Sequence, residues 1–374
     1  MSLQTSYRCD IIVVTWNKLD YIKECVTSIL KHTNVKSRLI VVDNASNADT
    51  QNYLKGVRGN ERVDVKLIFN ETNLGPGKAR NIALKQIDAD YVCFVDSDVT
   101  VTPGWLSNMI GLAHAYPEIG MVNPSSNNFN QVPPKGIPLD EYAQTLAPLK
   151  NSYIEVGQCI SFCMLIKREV VSKIGLIDEN YILAMYEDTD YSMKASTSGY
   201  RCVIARSAYV WHYGHGSTGR VKKMEAISEK NKARFYKKWG KPLRIIWCST
   251  AGVDDRAFKE LLGAAVKLAR EGNFVYFFTQ EKGLHDKSEV FKRAGLTEHA
   301  NVHLNLYKGS LFKWFCLWRV LKKRKKKYDM AVTDDNGTAA LIKQFNFLHR
   351  AKVIAGSDFK LIHATSQQKR FEGV

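Results

Sequence analysis

Long apolar runs are missing from this sequence. No stretch of its 374 residues reaches the ~18 consecutive apolar positions that read as a membrane-spanning helix. The first residues also lack a charged segment followed by an apolar one, so neither a bilayer span nor a secretory leader is expected. Cysteine spacings that would hold zinc or a disulfide framework are missing too. The eight cysteines (Cys9, Cys25, Cys93, Cys159, Cys163, Cys202, Cys248 and Cys316) are scattered, mostly inside apolar runs, with no CxxC pair. They are expected as buried thiols of a cytoplasmic protein. Acidic residues are the third shortage, 37 Asp+Glu against 54 Lys+Arg, a net charge of +17. Residues 1–240 carry 29−24 = +5 of it and residues 241–374 carry 25−13 = +12. A basic surface draws nucleic acid, anionic lipid or phosphorylated ligands, and charge alone does not choose among them. No helix-turn-helix or RNP-like module is visible, which disfavours nucleic acid as a partner. With 45% hydrophobic content the chain is long enough for two cores, and two domains are expected, 1–241 and 242–374.

What is present is a rhythm. Residues 9–15 read as a strand, and Leu19, Ile22, Val26, Ile29 and Leu30 have helical spacing. A strand over 38–43, a short helix over 49–57, a strand over 65–70, a helix over 76–86 and a strand over 91–96 follow. Strands alternating with helices of this length imply an α/β fold with a mainly parallel sheet covered on both faces. Ligands of such sheets bind outside the carboxyl ends of the strands. Polar residues collect there: Thr15 and Asn17 after the first strand, Asp43 after the second, and Asp96, Ser97 and Asp98 after the fourth. The third strand leads into NETNLGPGKARN, whose Gly77, Lys78 and Arg80 open a helix, a place where backbone amides and cations favour an anion.

Asp96 and Asp98 stand at i and i+2. If strand geometry continues through Ser97 they point the same way, with Cα atoms ~7 Å apart. Two converging carboxylates hold a hard divalent cation, Mn²⁺ or Mg²⁺, that keeps waters and takes further ligands from a diphosphate. The same spacing also suits a turn in which Asp caps neighbouring amides. Its place level with Asp43, above a basic glycine loop, favours the cation. Such an edge suits a nucleotide carrying a diphosphate, with Asp43 accepting from a base N–H or a ribose hydroxyl.

Four segments, DIIVVTWN, LIVVDNAS, NLGPGKARNIAL and YVCFVDSDV, in that order resemble the nucleotide-sugar half of family 2 glycosyltransferases, which have the GT-A fold. SFCMLIKREVVSKIGLIDENY, YEDTDYSMKASTSGYR and AYVWHYGHGST extend the resemblance over about residues 8–240. It implies that Asp43 contacts the base, Arg80 the nucleoside or diphosphate, Asp96 the ribose or metal, and Asp98 the metal. His212 would complete the metal shell or bond the leaving phosphate, with His215 as a second candidate. The resemblance gives Asp188 the role of general base with inversion at the anomeric carbon, and Glu187 that of orienting it or touching the acceptor. One positioned carboxylate suffices to take the proton of an attacking hydroxyl. The same two acids at a helix start would otherwise complement its dipole, a ~0.3 to 1 kcal/mol effect. The implied donor is a nucleoside-diphosphate sugar, UDP first. The implied acceptor is a glycan or lipid-linked hydroxyl in surface-polysaccharide or glycoconjugate synthesis.

Two departures qualify the resemblance. Ser161-Phe162 replaces a glycine that often precedes the CMLIKR strand, so the acceptor pocket is expected to differ in shape. The Gln-x-x-Arg-Trp signature of processive synthases is absent, its region reading NKARFYKKWG, and transfer of one or a few sugars is expected. A nucleotidyltransferase is the enzyme alternative, disfavoured because no glycine-rich signature follows the first strand. A nucleic-acid-binding protein using the basic C-terminal part is the non-enzymatic one.

Gly240 and Pro242 mark a linker. Beyond it, strand-like LRIIWCST, NFVYFFT, NVHLNL, YDMAVT and AKVIAG alternate with helical stretches over 254–270 and 285–295. This smaller doubly wound, Rossmann-like domain weakly resembles the first half of a GT-B glycosyltransferase, without the second half, and no catalysis is expected in it. TDDNGTAA offers either a phosphate loop or a plain turn. Residues 306–329 mix aromatics with a cationic run and read as a packed helix with a solvated end. The alternative is peripheral contact with anionic membrane at its inner face, Phe312, Trp314, Phe315 and Trp318 entering the headgroups beside Lys322 to Lys327.

Overall fold

The computed structural model describes residues 7–183, 185–214, 222–252, 256–280, 287–323, 325–356 and 358–372, the side chains of 222–224 excepted. The chain divides into two compact units, residues 1–154 with 158–234, and residues 155–157 with 235–374. The helix Lys222–Trp239 stops at Gly240, whose φ of 74° ends it.

In the first unit the strands are β1 (Cys9–Thr15), β2 (Ser37–Asp43), β3 (Val63–Phe69), β4 (Tyr91–Asp96), β5 (Val99–Val101), β6 (Ile119–Ser126), β7 (Tyr153–Val156), β8 (Cys163–Lys167) and β9 (Arg201–His212). Eight of them lie in the order β3-β2-β1-β4-β8-β6-β9-β5, with β7 off that path. The alternating segments predicted from the sequence form the parallel half β3-β2-β1-β4. β8 then pairs antiparallel with β4, so the sheet is mixed, mainly parallel, as the GT-A resemblance implies. β1, β2 and β4 are apolar nearly throughout because helices cover both faces of the sheet. The helix Leu19–His32 turns Ile22, Cys25, Val26 and Ile29 into that core.

One charge inside β1 shows what a structural carboxylate looks like here. Asp10, buried at the amino end of the sheet, receives Arg38 through Nε at 2.9 Å and Nη2 at 3.0 Å, and the backbone N–H groups of Asp88 and Ala89. Both its oxygens are satisfied, as buried charge requires.

The second unit holds β10 (Arg244–Ser249), β11 (Phe274–Gln280), β12 (Val302–Tyr307), β13 (Met330–Thr333) and β14 (Lys352–Ala355), all parallel, in the order β12-β11-β10-β13-β14. TDDNGTAA is a cap. Asp335 accepts from Thr338 N and Oγ1, both at 2.7 Å, at the start of the helix Asn336–Gln344, and Asp334 takes the N–H groups of Thr250 and Ala251. Carboxylates therefore fill the positions a phosphate would need. The helix Phe312–Leu321 packs Phe312, Cys316, Leu317 and Val320 into the core, which removes Phe312 from the membrane-facing set, and Phe315 is half-buried on Tyr307. All eight cysteines are buried and unpaired. No helix among the described residues is long and apolar enough to cross a membrane.

Candidate active site

At the carboxyl ends of β1 and β4 lies a cavity of about 550 Å³ lined by Thr15, Arg80, Asp96, Ser97, Asp98, Glu187, Asp188 and His212 among others. A larger, more open depression of about 1150 Å³ sits at the amino end of β4, around Tyr7, Tyr91 and Lys167. The carboxyl edge is where parallel strands and helix starts present unused amides to ligands, so the smaller cavity is the candidate.

β4 ends at Asp96, and Ser97 and Asp98 form a turn before β5. The strand therefore does not continue through Ser97, and the i, i+2 argument is not what brings the two carboxylates together. β5 runs antiparallel to the end of β9, with Val99 opposite His212, and this delivers the imidazole. Ligand atoms of Asp96, Asp98 and His212 all lie within 4.8 Å of one another, and His212 Nε2 is 3.2 Å from Asp98 Oδ1. Asp98 Oδ2 is buried without a hydrogen-bond partner, unlike either oxygen of Asp10. Two carboxylates and one imidazole, with an orphaned buried oxygen among them, fit Mn²⁺ or Mg²⁺.

His212 is held from three sides. Asn127 bonds its backbone N–H and C=O, at 2.9 and 2.8 Å. Asn128 Nδ2 lies 2.8 Å from Nδ1. The ring stacks on Phe162, with centroids 5.4 Å apart and planes 8° from parallel. Phe162 C=O also accepts from Asp96 N at 2.8 Å. The residue that departs from the family pattern thus supports two candidate ligands at once. Burial disfavours the His212 cation, but the bond to Asp98 and the charges of Asp98 and Asp96 outweigh it and raise its pKa. Burial also raises Asp96, against the Arg80 charge.

Arg80, on the helix Pro76–Leu84, is buried beneath the cavity. Its Nη2 donates to Asp96 Oδ1 at 2.7 Å, its Nη1 is 3.7 Å from Glu187 Oε1, and the guanidinium lies over Phe94. Glu187 is itself buried, and burial followed by the Asp188 charge pushes its pKa up to about 7 despite Arg80. Its Oε1 faces the arginine and its Oε2 has no hydrogen-bond partner; Asp188 lines the same cavity. Asp188 accepts Ser161 N at 3.1 Å on Oδ2 and Thr189 N at 2.7 Å on Oδ1, which fixes its direction.

The remaining predicted residues divide. Asp43 is buried, accepts from Gln51 Nε2 and Ser46 N on Oδ2, and leaves Oδ1 without a partner. Asn17, at φ 58°, ties the loops after β1 and β2 through Ser46 and Asn47. Lys78 is exposed and Gly77 packs near Ile177; like Asp43 and Asn17, neither lines the cavity. His215 lies outside the described residues.

Sequence reading missed Asn231. It is buried on the helix Lys222–Trp239, accepts from Ile182 N at 3.1 Å, and donates to Ile182 O and Met185 O at 3.0 and 3.1 Å. The segment it grips contains Leu183, Met185 and Tyr186 at φ 59°, 77° and 72°, a left-handed conformation that side chains disfavour by ~1 to 3 kcal/mol each. Glu187 and Asp188 follow immediately. An Asn in a polar helix gives no signal by itself; only its partner loop identifies it.

Residues 10–175 match the family model described as Glycosyl transferase family 2. Among curated proteins the chain is 40% identical over 91 residues to the poly(ribitol-phosphate) beta-N-acetylglucosaminyltransferase TarS of Staphylococcus aureus, covering 24% of this chain and 16% of TarS. It is 29% identical over 232 residues to the succinoglycan biosynthesis protein ExoO of Rhizobium meliloti, covering 58% of this chain and 64% of ExoO. An uncharacterized protein of Sinorhizobium fredii, y4gI, is 28% identical over 250 residues, 60% of this chain and 26% of that protein. The chain thus spans less than two thirds of these relatives. Among solved structures, the mannosyltransferase PcManGT of Pyrobaculum calidifontis, in complex with GDP-Man and Mn²⁺, aligns at 18% identity with a TM-score of 0.48, over 62% of this chain and 64% of that one.

Proposed function

We propose that the protein is an inverting, metal-dependent glycosyltransferase that moves a sugar from a nucleoside diphosphate, UDP by the family resemblance, to a hydroxyl acceptor. The observation that carries this reading is one cavity holding the Asp96, Asp98 and His212 cluster together with the oriented carboxylate of Asp188. Names such as ExoO and TarS among the relatives support an acceptor in polysaccharide or glycoconjugate assembly, a glycan or a lipid-linked one.

The family resemblance supports these roles. Asp43 Oδ1 accepts from the nucleoside, and Asp96, Asp98 and His212 are the side chains that would hold Mn²⁺ or Mg²⁺. That cation, when bound, neutralises charge on the diphosphate. Arg80 keeps Asp96 in place and adds positive charge under the same region. The acceptor hydroxyl attacks the anomeric carbon from the side opposite the diphosphate. Its proton goes to Asp188, the new carbon–oxygen bond forms, and the electrons of the broken bond leave on the diphosphate. One displacement on one carbon inverts its configuration.

The test is incubation of the full chain with Mn²⁺ and a panel of nucleotide sugars, scoring release of nucleoside diphosphate. Asp188→Asn keeps the shape and removes the base. It should leave donor affinity within a few fold while turnover falls roughly 10² to 10⁴-fold. No turnover of any donor by the wild type, or full turnover by Asp188→Asn, would refute the reading in its first or second part.

A further inference from the structure

From residue 299 to 328 the chain has nine Lys+Arg and not one Asp or Glu. The helix Phe312–Leu321 lies in the middle of this acid-free stretch and is apolar on two faces. The inner face is core. The outer one is not: Leu311, Trp314 and Trp318, spaced three and four residues apart, are 63%, 59% and 49% exposed. Phe347 and Leu348, on the short helix Asn346–His349, are exposed at 73% and 50%. Lys327 Nζ, at 3.1 Å from Leu348 O, ties that helix to the basic run. Lys322, Lys323, Lys325, Lys326 and Lys327 are all exposed, and none forms an ion pair among the described residues. Lys322 Nζ stands 4.8 Å from the centre of the Trp318 ring, with Arg319 on the same ring at 5.7 Å.

We propose that the outer face of this helix, with the lysine run behind it, is a docking surface for an anionic lipid membrane. Indole rings carry an apolar body and one polar N–H and settle at the level of lipid headgroups, where neighbouring lysines reach anionic phosphates. The surface offers that pairing: two tryptophans outward and cations beside the rings. A phosphodiester backbone has no use for Leu311, Phe347 and Leu348. A second copy of the chain would bring ten unpaired lysines face to face across a two-fold axis. The proposal rests on the second unit alone and is independent of whether the first transfers sugar. Were the acceptor lipid-linked, the same surface would hold the enzyme where its substrate is.

The test uses the full chain and vesicles of phosphatidylcholine with or without phosphatidylglycerol. Binding is expected only with phosphatidylglycerol, weakening as salt rises, and by roughly fivefold for each of the five lysines changed to Gln. With brominated acyl chains, tryptophan fluorescence should be quenched on binding. That quenching should be lost in a Trp314→Phe/Trp318→Phe variant whose thermal melt matches the wild type, the other five tryptophans remaining. No binding to anionic vesicles at low salt, or quenching unchanged in the double variant, would overturn the proposal. So would tighter binding to a single-stranded polynucleotide than to vesicles at equal salt, or burial of the two tryptophans in a concentration-dependent dimer.

Discussion

Phe162 touches both ends of the candidate cation site: its ring stacks on His212 and its carbonyl holds the backbone N–H of Asp96 at 2.8 Å. The candidate ligands therefore sit on a prebuilt frame, and any affinity they have for a cation is separable from the stability of the fold.

Asp98→Ala tests that separation. The carboxylate bonds His212 but supports no core side chain, and its Oδ2 bonds nothing. The variant should melt within a few degrees of the wild type in the absence of metal and lose Mn²⁺ binding measured by calorimetry or by the Mn²⁺ paramagnetic signal. Retained Mn²⁺ affinity would remove Asp98 from the ligand set.

A second prediction concerns pH. The folded protein holds the Glu187 proton up to about pH 7, whereas the ordinary value is 4.5, so between these limits the folded state binds more protons than the unfolded one. Stability then falls as pH rises through that window, and is fully present below it. The raised His212 pKa acts in the same direction: its contribution is complete below 6.5 and is lost as pH rises through the folded value. Melts of the metal-free protein from pH 4.5 to 8 should therefore show a declining midpoint. Glu187→Gln, which cannot ionise beside Arg80, should flatten the decline. Equal slopes in the two proteins would place the linkage elsewhere.

The loop before Glu187 gives the third. Without the amide of Asn231, the backbone of Ile182 and Met185 loses the bonds that pin the left-handed segment through Tyr186, and Asp188 is expected to move with it. A displacement of ~1 Å at a reacting group is worth on the order of 10²-fold in rate. Asn231→Ala should lower kcat by roughly that factor while donor affinity stays within a few fold. Adding Met185→Gly, which adopts φ 77° without a side-chain clash, should recover part of the rate relative to Met185→Gly alone. Hydrogen exchange at the amide of Ile182, which Asn231 accepts, should quicken in Asn231→Ala. Unchanged exchange and unchanged kcat would show that the clip does not position the base.

Much of the candidate site was legible because it lies where strands end. Thr15, Asp43 and Asp96 end runs that periodicity alone marks as strands, and the family motifs added Asp188 and His212. The antiparallel strands were harder. Pairing of β8 with β4 and of β5 with β9 joins residues far apart in the chain, and nothing local in VTV or CMLIK specifies a partner. For the same reason nothing in the sequence marks Asn127 and Asn128, whose bonds to His212 exist only once β9 brings it beside them. Arg80 lines the cavity. Periodicity places it on a helix but does not reveal that two carboxylates already meet it from β4 and from the start of the helix Glu187–Thr197. In 306–329 the apolar spacing predicted a packed helix; that Trp314 and Trp318 stay outside it depended on which residues faced β10, β11 and β13.

The chain's path carries a genetic consequence. Glu155–Gly157 belongs with the second unit although the sequence on either side belongs to the first. The carboxylate of Glu155 is buried and takes two bonds from Arg270, at 2.6 and 2.9 Å. Recombination that exchanged residues 235–374 as a cassette would leave this carboxylate facing whatever side chain the newcomer supplied, and breaking a buried pair this way costs ~3 to 5 kcal/mol. A viable hybrid of that kind is expected to need a matched change at residue 155.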